Sequence, residues 1–187
     1  MQSMRIETER LLLREFCVED WTALAGYWAD PRYRRFYAPV PDVERAVRDL
    51  VGRFVAAQEE RPRRTWQLAI VDPGDGRLLG NAGLRVNDAA LGEGNIGYEL
   101  APDHWGRGYA TEAARAMLDL GFGELGLHRI WAECVADNAA SARVLEKLGM
   151  RREAHLREHR RERDRWWDTL IYAMLDREWR STPSRQT

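Results

Sequence analysis

HWGRGYATEA, residues 104–113, places two glycines on either side of an arginine, directly before an alanine-rich run. A helix start leaves about four backbone N–H groups unpaired and carries roughly half a positive charge. Gly106 and Gly108 remove side chains at this point, and Arg107 adds a positive charge. The stretch therefore predicts a diphosphate-binding turn between a strand and a helix. The apolar positions that follow have helical spacing for packing on a sheet: Ala110, Ala113, Ala114, Met117, Leu118, Gly121 and Phe122.

Other interpretations of the glycines limit what this stretch implies. Both glycines can serve only to turn the chain between a strand and a helix. A Rossmann fingerprint requires a third glycine where this chain has Thr111, and the G-K-[ST] of a Walker loop is absent. The phosphate interpretation therefore implies neither NAD nor ATP.

Hydrophobic periodicity predicts eleven elements in the order β-α-α-β-β-β-α-β-α-β-β. A βαβ unit over residues 94–135 lies between antiparallel strands, which predicts an α/β (α+β) domain. We expect a mixed, mostly antiparallel sheet of about seven strands with helices on both faces. The predicted strands are 5–15, 65–71, 77–86, 94–101, 128–135, 150–160 and 165–178, and the predicted helices are 18–30, 42–60, 108–125 and 138–148.

Composition favours one globular domain. The 187 residues suit a single domain over 1–180, with a disordered tail over 181–187. A net charge of −1 predicts binding to neither nucleic acid nor an anionic membrane, and no apolar run approaches the ~18 residues of a membrane span. Cys17 and Cys134 lie far apart in a chain without an export signal, so we expect a cytoplasmic protein with two structural thiols. The alternative for either thiol is a nucleophile.

Residues 105–110, WGRGYA, resemble the pyrophosphate loop [RQ]-x-x-G-x-[GA] of the GNAT superfamily of acetyl-CoA-dependent N-acetyltransferases. Trp105 replaces the usual Arg or Gln. Three further segments resemble the branch that contains the ribosomal-protein N-terminal acetyltransferases: IETERLLLREFCVEDW at 6–21, DNAASARVLEKLGM at 137–150 and REHRRERDRWWDTLIYAMLDREW at 157–179. The resemblance covers about residues 5–180 and implies a GNAT-like fold whose sheet splays at the cofactor site.

The resemblance also implies acetyl-CoA as cosubstrate, and we expect no metal. Backbone groups at Leu100 and Ala101 would bind the acetyl carbonyl and pantetheine, and loop N–H groups from Trp105 to Ala110 would hold the diphosphate. The contacts implied for the cofactor are Leu100, Ala101, Trp105, Gly106, Arg107, Gly108, Tyr109, Ala110, Thr111, Asn138, Ser141 and Arg143.

Asn138 and Ser141 have the spacing of a helix N-cap and its N3 position. Capping alone would account for both residues, whereas the resemblance gives Ser141 a second role as proton donor to the departing thiolate. Some relatives use a tyrosine four residues further on, but this chain has Leu145 there. Arg143 is either a partner for the 3′-phosphate of CoA or a solvated helix arginine.

Glu99 is the candidate general base. It lies in an apolar strand, on the face of Gly97 and opposite Tyr98. The alternatives are that Glu99 only orients the amine or is a structural partner for a neighbouring arginine. Glu133, His104 and a water are further candidate bases. His155 and His159 are four residues apart on a predicted strand, where that spacing does not indicate a metal site.

These residues predict an N-acetyltransferase that transfers acetyl directly to a primary amine, either a protein N-terminus or a small molecule. The alternative is a non-catalytic acyl-CoA-binding or regulatory module on the same fold. The acceptor is expected at the first two helices and the last strand pair, near the aromatic and arginine-rich stretch 29–41. The arginine-rich residues 151–165 favour a salt-bridged hairpin over a nucleic-acid surface. The oligomeric state stays open, with a homodimer as one option.

Overall fold

The computed structural model describes residues 4–162 and 164–181. Of the predicted disordered tail, only Ser181 lies within these residues. The strands are β1 Arg5–Glu7, β2 Leu12–Glu15, β3 Thr65–Val71, β4 Leu78–Asp88, β5 Glu93–Leu100, β6 Arg129–Val135, β7 Arg151–Glu162 and β8 Arg165–Leu175. The α-helices are α1 Trp21–Trp28, α2 Val43–Ala57, α3 Tyr109–Asp119, α4 Ala139–Lys147 and α5 Asp176–Arg180.

Within the described residues, eight strands form one sheet in the order β1-β2-β3-β4-β5-β6-β8-β7. Every neighbouring pair is antiparallel except β5 and β6, which are parallel and connected through α3. The predicted mixed, mostly antiparallel α/β fold is confirmed.

The sheet has one strand more than predicted because residues 5–15 do not form a single strand. Thr8 and Leu11 close a tight turn: Thr8 N donates to Leu11 O at 2.9 Å, and Leu11 N donates to Thr8 Oγ1 at 3.1 Å. A threonine hydroxyl that bonds nearby backbone groups competes with a continuous strand. The chain therefore reverses and pairs β1 with β2.

The predicted strand 165–178 is wrong at its end. Strand β8 stops at Leu175, and α5 begins at Asp176. Glu178 Oε2 accepts the Leu175 N–H at 3.0 Å, which satisfies a backbone donor at the start of this short helix. Acidic side chains in a first helical turn also suit the positive end of the helix dipole.

Helices cover both faces of the sheet, and strand alternation divides the core between them. On β3, Leu68 and Ile70 face one way and Ala69 and Val71 the other. The first face packs against α3 and α4 through Ala113, Met117 and Leu145, and the second packs against α1 and α2 through Leu24, Val47 and Val51.

Strands β5 and β6 separate after three residue pairs, the last of which joins Asn95 to Trp131. Beyond this point, Ala101 N donates to Leu79 O at 2.8 Å. The backbone groups of the odd-numbered residues at this end of β5 therefore make their hydrogen bonds to β4. Alternation then turns the backbone N–H and C=O groups of Tyr98 and Leu100 toward the gap. This is the predicted splay.

A partly buried ion pair connects β2 to the start of α1, with Asp20 buried and Arg14 partly exposed. Arg14 donates from Nη1 and Nη2 to the two carboxylate oxygens of Asp20, at 2.7 and 2.8 Å. Cys17 N donates to the same carboxylate at 2.9 Å. Burial opposes the ionisation of Asp20, but these hydrogen bonds outweigh it and lower the pKa of Asp20.

We expect Asp20→Asn to lower the free energy of unfolding by roughly 2–4 kcal/mol at pH 7, because Arg14 loses its buried partner. A carboxyl group with a depressed pKa stabilises the fold above its unfolded pKa, and this stability is lost as the pH falls through the folded pKa. The difference in the free energy of unfolding between Asp20→Asn and wild type, measured by urea titration, should therefore shrink below about pH 4.

Asp75→Asn is the matched control for this change. The Asp75–Arg77 pair is 3.8 Å apart, and both side chains are more than half exposed, so its loss should leave stability nearly unchanged. An Asp20→Asn deficit that persisted unchanged at pH 2 would contradict the ion-pair explanation.

None of the helices in the part of the chain that the structure describes is long and apolar enough to cross a membrane.

Candidate active site

A cleft of about 1060 Å³ opens where β5 and β6 separate. It is bounded by the segment before α2, the end of β5, the loop into α3, strand β6 and the start of α4. Of the residues predicted for the site, Ala101 and Arg107 do not line the cleft. Those that do are Glu99, Leu100, Trp105, Gly106, Gly108, Tyr109, Ala110, Thr111, Asn138, Ser141 and Arg143.

The loop before α3 exposes its backbone to the cleft. Gly106 and Gly108 have φ of +74° and +84°, a conformation that favours glycine. The amide N–H groups of residues 106–111 make no hydrogen bond within the described part of the chain. A Cβ added at Gly106 would meet no atom of the described residues within 4 Å. Unpaired amide groups beside open space at a helix start suit an anionic group such as a phosphate.

Arg10 and Glu112 fix this loop against the turn between β1 and β2. Arg10 Nη1 donates to Arg107 O at 3.0 Å, and Arg10 Nε donates to Glu112 Oε2 at 2.8 Å. Thr8 Oγ1 donates to Glu112 Oε1 at 2.6 Å. Sequence reasoning missed this anchor, because its parts lie about one hundred residues apart.

The end of β5 differs from expectation at two residues. Ala101 N donates to Leu79 O, and Ala101 O accepts from His104 N, so Ala101 has its backbone groups engaged within the protein. Trp105 N donates to Pro102 O, which removes it from the set of unpaired loop N–H groups. The Trp105 indole donates to Leu100 O at 2.8 Å. The N–H groups of Tyr98 and Leu100 remain directed at the gap.

Helix α4 starts at the cleft as its sequence predicts. Asn138 Oδ1 accepts the Ser141 N–H at 3.2 Å, which confirms the N-cap. Tyr98 reaches across from β5, with its hydroxyl 3.0 Å from Ser141 Oγ and 3.1 Å from Ser141 O. Burial raises the pKa of Tyr98, so this hydroxyl stays protonated. Leu145 is buried, and Arg143 is exposed at the cleft edge.

In the described part of the chain, four side chains donate hydrogen bonds to Glu99. Its Oε1 accepts from Tyr27 Oη at 2.7 Å, Trp28 Nε1 at 3.1 Å and Asn81 Nδ2 at 2.6 Å. Its Oε2 accepts from the Tyr33 hydroxyl. These donors replace the arginine partner considered from sequence. The carboxylate is therefore held in one orientation at the cleft.

Three tyrosines around Glu99 resist ionisation. Burial and then the Glu99 charge raise the pKa of Tyr27 and Tyr33 far above the usual value, and the same two causes raise that of Tyr37 to about 12. All three are neutral near pH 7. The Tyr33 ring stacks on those of Trp28 and Tyr37, which gives this end of the cleft an aromatic wall.

A family model described as "Acetyltransferase (GNAT) domain" matches residues 10–151. This chain belongs to the GNAT acetyltransferase family. It is 32% identical over 174 residues to "Uncharacterized N-acetyltransferase p20" of Bacillus licheniformis, covering 92% of this chain and 96% of the relative. A GNAT acetyltransferase structure from Bacillus anthracis has a TM-score of 0.81 and 32% identity, over 94% of this chain and all of that one.

The chain also resembles the ribosomal-protein branch of these acetyltransferases. It is 24% identical to "[Ribosomal protein uS5]-alanine N-acetyltransferase" of Escherichia coli over an alignment of 191 positions, covering 97% of this chain and 95% of the relative. The GNAT membership predicted from the 105–110 loop and the three further segments is thereby confirmed.

The two further candidate bases of this acetyltransferase lie at the cleft but have different surroundings. Glu133 pairs with Arg160 across β6 and the β7–β8 hairpin. His104 has a buried Nδ1 with no partner among the described residues. Its pKa is lowered by burial and by the charges of Arg77 and Arg107, which favours the neutral imidazole.

The two histidines of the last strand pair are engaged by neighbouring side chains. His155 Nε2 lies 2.6 Å from Asp168 Oδ2, and His159 Nδ1 lies 3.1 Å from Thr169 Oγ1. Within residues 4–162 and 164–181, no cluster of three His, Cys, Asp or Glu side chains could hold a metal ion.

Cys134 lines the cleft, but its surroundings do not activate it. Burial raises the pKa of Cys134, and burial together with Asp20 raises that of the exposed Cys17. Thiols with raised pKa values are poor nucleophiles at neutral pH. We expect intact-mass spectrometry after incubation with acetyl-CoA alone to show no acetyl adduct on either cysteine. A rapidly formed and kinetically competent adduct would contradict direct transfer.

Proposed function

We propose that this acetyltransferase transfers the acetyl group of acetyl-CoA directly to a primary amine. The observation that supports this proposal is that one cleft combines three chemical features. It contains unpaired N–H groups of the 106–111 loop, the hydroxyl of Ser141 and the fixed carboxylate of Glu99. These features suit diphosphate binding, leaving-group stabilisation and amine deprotonation.

The cleft fits the cosubstrate that the family uses. Gly106 leaves open space beside the unpaired loop N–H groups, and Arg107, Arg143 and Lys147 add positive charge around the loop. We infer that the loop binds the diphosphate and that the N–H groups of Tyr98 and Leu100 bind polar groups in the gap. When bound, acetyl-CoA supplies a thioester carbon that a neutral amine can attack.

Ser141 and Glu99 have separate roles in the proposed transfer. Glu99 accepts a proton from the incoming ammonium group, directly or through water, so that a neutral amine is available. As the C–N bond forms and the C–S bond breaks, Ser141 Oγ–H stabilises the departing thiolate, which takes up the proton that the acetylated nitrogen loses. Because a thiol has a pKa near 8.5, the leaving group requires only modest help.

The acceptor is a protein N-terminus or a small-molecule amine. The similarity to a ribosomal protein uS5-alanine acetyltransferase supports the first class. The aromatic wall around Glu99 suits either, since neutral rings and one carboxylate can surround an ammonium group. Phe36 contacts Trp167 edge to face, and this contact connects the aromatic segment to the last hairpin at the acceptor end.

An acceptor screen tests the proposed function. Thiol release from acetyl-CoA would be followed with N-terminal peptides of ribosomal proteins, amino acids and polyamines, and the products would be identified by mass spectrometry. We expect at least one amine to gain an acetyl group at a rate far above thioester hydrolysis. Tight acetyl-CoA binding by calorimetry, without transfer to any amine, would favour the non-catalytic alternative.

Ser141→Ala should lower kcat by about 10- to 30-fold, less than the loss of a dedicated general acid. Tyr98 keeps its hydrogen bond to the backbone oxygen of residue 141, so the change stays local. The acidic side of the pH profile should keep its wild-type shape. Steady-state kinetics with one good acceptor check this expectation, and an unchanged kcat would remove Ser141 from the mechanism.

A further inference from the structure

A row of polar side chains crosses the sheet face that carries α1 and α2, and it ends at Glu99. Arg85 Nη2 donates to Gln67 Oε1 at 3.2 Å, and Gln67 Nε2 donates to Asn81 Oδ1 at 2.6 Å. Asn81 Nδ2 then donates to Glu99 Oε1 at 2.6 Å. Gln67 and Asn81 are 6% and 5% exposed, so two uncharged amides are buried between an exposed guanidinium and the cleft.

The direction of every hydrogen bond in this row is fixed by its two ends. An ionised Glu99 only accepts, so Asn81 must present its NH₂ group there and its oxygen to Gln67. Gln67 must then present its own NH₂ group to Asn81 and its oxygen to Arg85, which only donates. All the dipoles therefore point their positive ends toward the carboxylate.

The sheet makes room for the row by omitting a side chain at Gly83. Gly83 pairs with Gln67 on β3 and with Gly97 on β5. Because neither glycine has a side chain, Gln67 alone of these three residues places a side chain on this face. A Cβ at Gly83 would overlap Gln67 Oε1. Two residues further along β4 and β5, Asn81 pairs directly with Glu99. Two strand pairings thus set the geometry of the row.

We propose that Gln67 and Asn81 are positioning residues that orient the Glu99 carboxylate at the cleft and direct a chain of aligned donors at it. Hydrogen bonds donated to a carboxylate favour its charged form, and aligned donors in a buried chain strengthen one another. Asn81 shares Oε1 with the donors Tyr27 and Trp28, and among the described residues Oε2 has Tyr33 as its donor. The role of the oriented carboxylate in amine deprotonation rests on the function proposed above.

The other groups that face Glu99 do not titrate in the working range. They are Tyr27 and Trp28 of α1 and Tyr33 and Tyr37 of the following turn. The three tyrosines stay neutral because burial and the Glu99 charge raise the pKa of each. A change in the ionisation of Glu99 after an alteration at Gln67 is therefore attributable to the row.

The test is a pH titration of the Glu99 carboxyl carbon by ¹³C NMR, with its signal assigned by its loss in Glu99→Gln. Gln67→Leu removes the donor to Asn81 and should lower the ionisation constant of Glu99 by roughly three- to tenfold. The matched control is Gln58→Leu. Gln58 Nε2 donates to Phe16 O at 2.9 Å, away from the row, so the Glu99 titration should stay at its wild-type position.

Arg85→Met keeps the proposal testable if Gln67→Leu does not fold, because Arg85 is exposed. It should shift the Glu99 titration in the same direction by a smaller amount. Wild-type titrations in every folded row variant would overturn the positioning role.

The kinetic measurement separates this inference from the proposed function. If Glu99 is the base, the acid limb of kcat/KM should move to higher pH together with the NMR titration. A shifted titration with an unshifted acid limb would support the positioning role and overturn the assignment of Glu99 as base.

Discussion

Gly106→Val is expected to weaken acetyl-CoA binding by roughly 100-fold, or about 2.8 kcal/mol, while the fold persists. The space beside Gly106 is open to 4 Å, and the unpaired N–H groups of residues 106–111 lie in the same loop. A branched side chain there would occupy the volume that a phosphate oxygen needs. Gly106 is a cleaner test position than Gly108, where a new Cβ would also press on Arg10 Nη2 at 3.2 Å.

The control for backbone strain is Gly126→Val. Gly126 also has a positive φ, +64°, and open space around a new Cβ, but it lies in the turn before β6. Both variants should lose similar stability in thermal unfolding, and only Gly106→Val should lose affinity in calorimetry with acetyl-CoA. Equal affinities for the two folded variants would show that the loop backbone does not hold the cosubstrate.

The parts of the site that depend on local patterns were predictable from sequence. The apolar spacing after Gly108 determined which face of α3 is buried, because 3.6-residue periodicity is a property of the segment itself. Asn138 and Ser141 formed the predicted cap for the same reason, since both partners lie within one helical turn. Strand alternation correctly placed Glu99 opposite Tyr98.

The surroundings of Glu99 were not predictable, because they depend on distant parts of the chain. Tyr27 and Tyr33 reach it across about seventy residues of sequence, and no local pattern pairs them. The available signal was weaker: Gln67 and Asn81 are amides inside apolar strands, where an uncharged polar side chain requires a partner. The division of residues 5–15 into two strands depended similarly on one threonine hydroxyl that periodicity does not report.

Glu99→Gln is expected to lower kcat/KM by roughly 100- to 1000-fold near pH 7, the range of a lost general base. The loss should partly recover near pH 9, because an α-amino group with a pKa of about 8 is then already neutral. The fold should survive. A glutamine oxygen can still accept from Tyr27, Trp28 and Asn81, and the Tyr33 hydroxyl can accept from the new NH₂ group.

The comparison that isolates the carboxylate is Tyr27→Phe, which removes one donor to Glu99 and leaves the charge in place. The kcat/KM of this variant should fall by less than about tenfold, and the loss should not recover at high pH. Profiles of kcat/KM against pH for both variants, with a peptide acceptor whose only amine is its N-terminus, distinguish a base from a structural carboxylate. If Glu99→Gln kept the wild-type rate and profile, proton removal would have to be assigned elsewhere, and the Arg160-paired Glu133 would be the next carboxylate to replace.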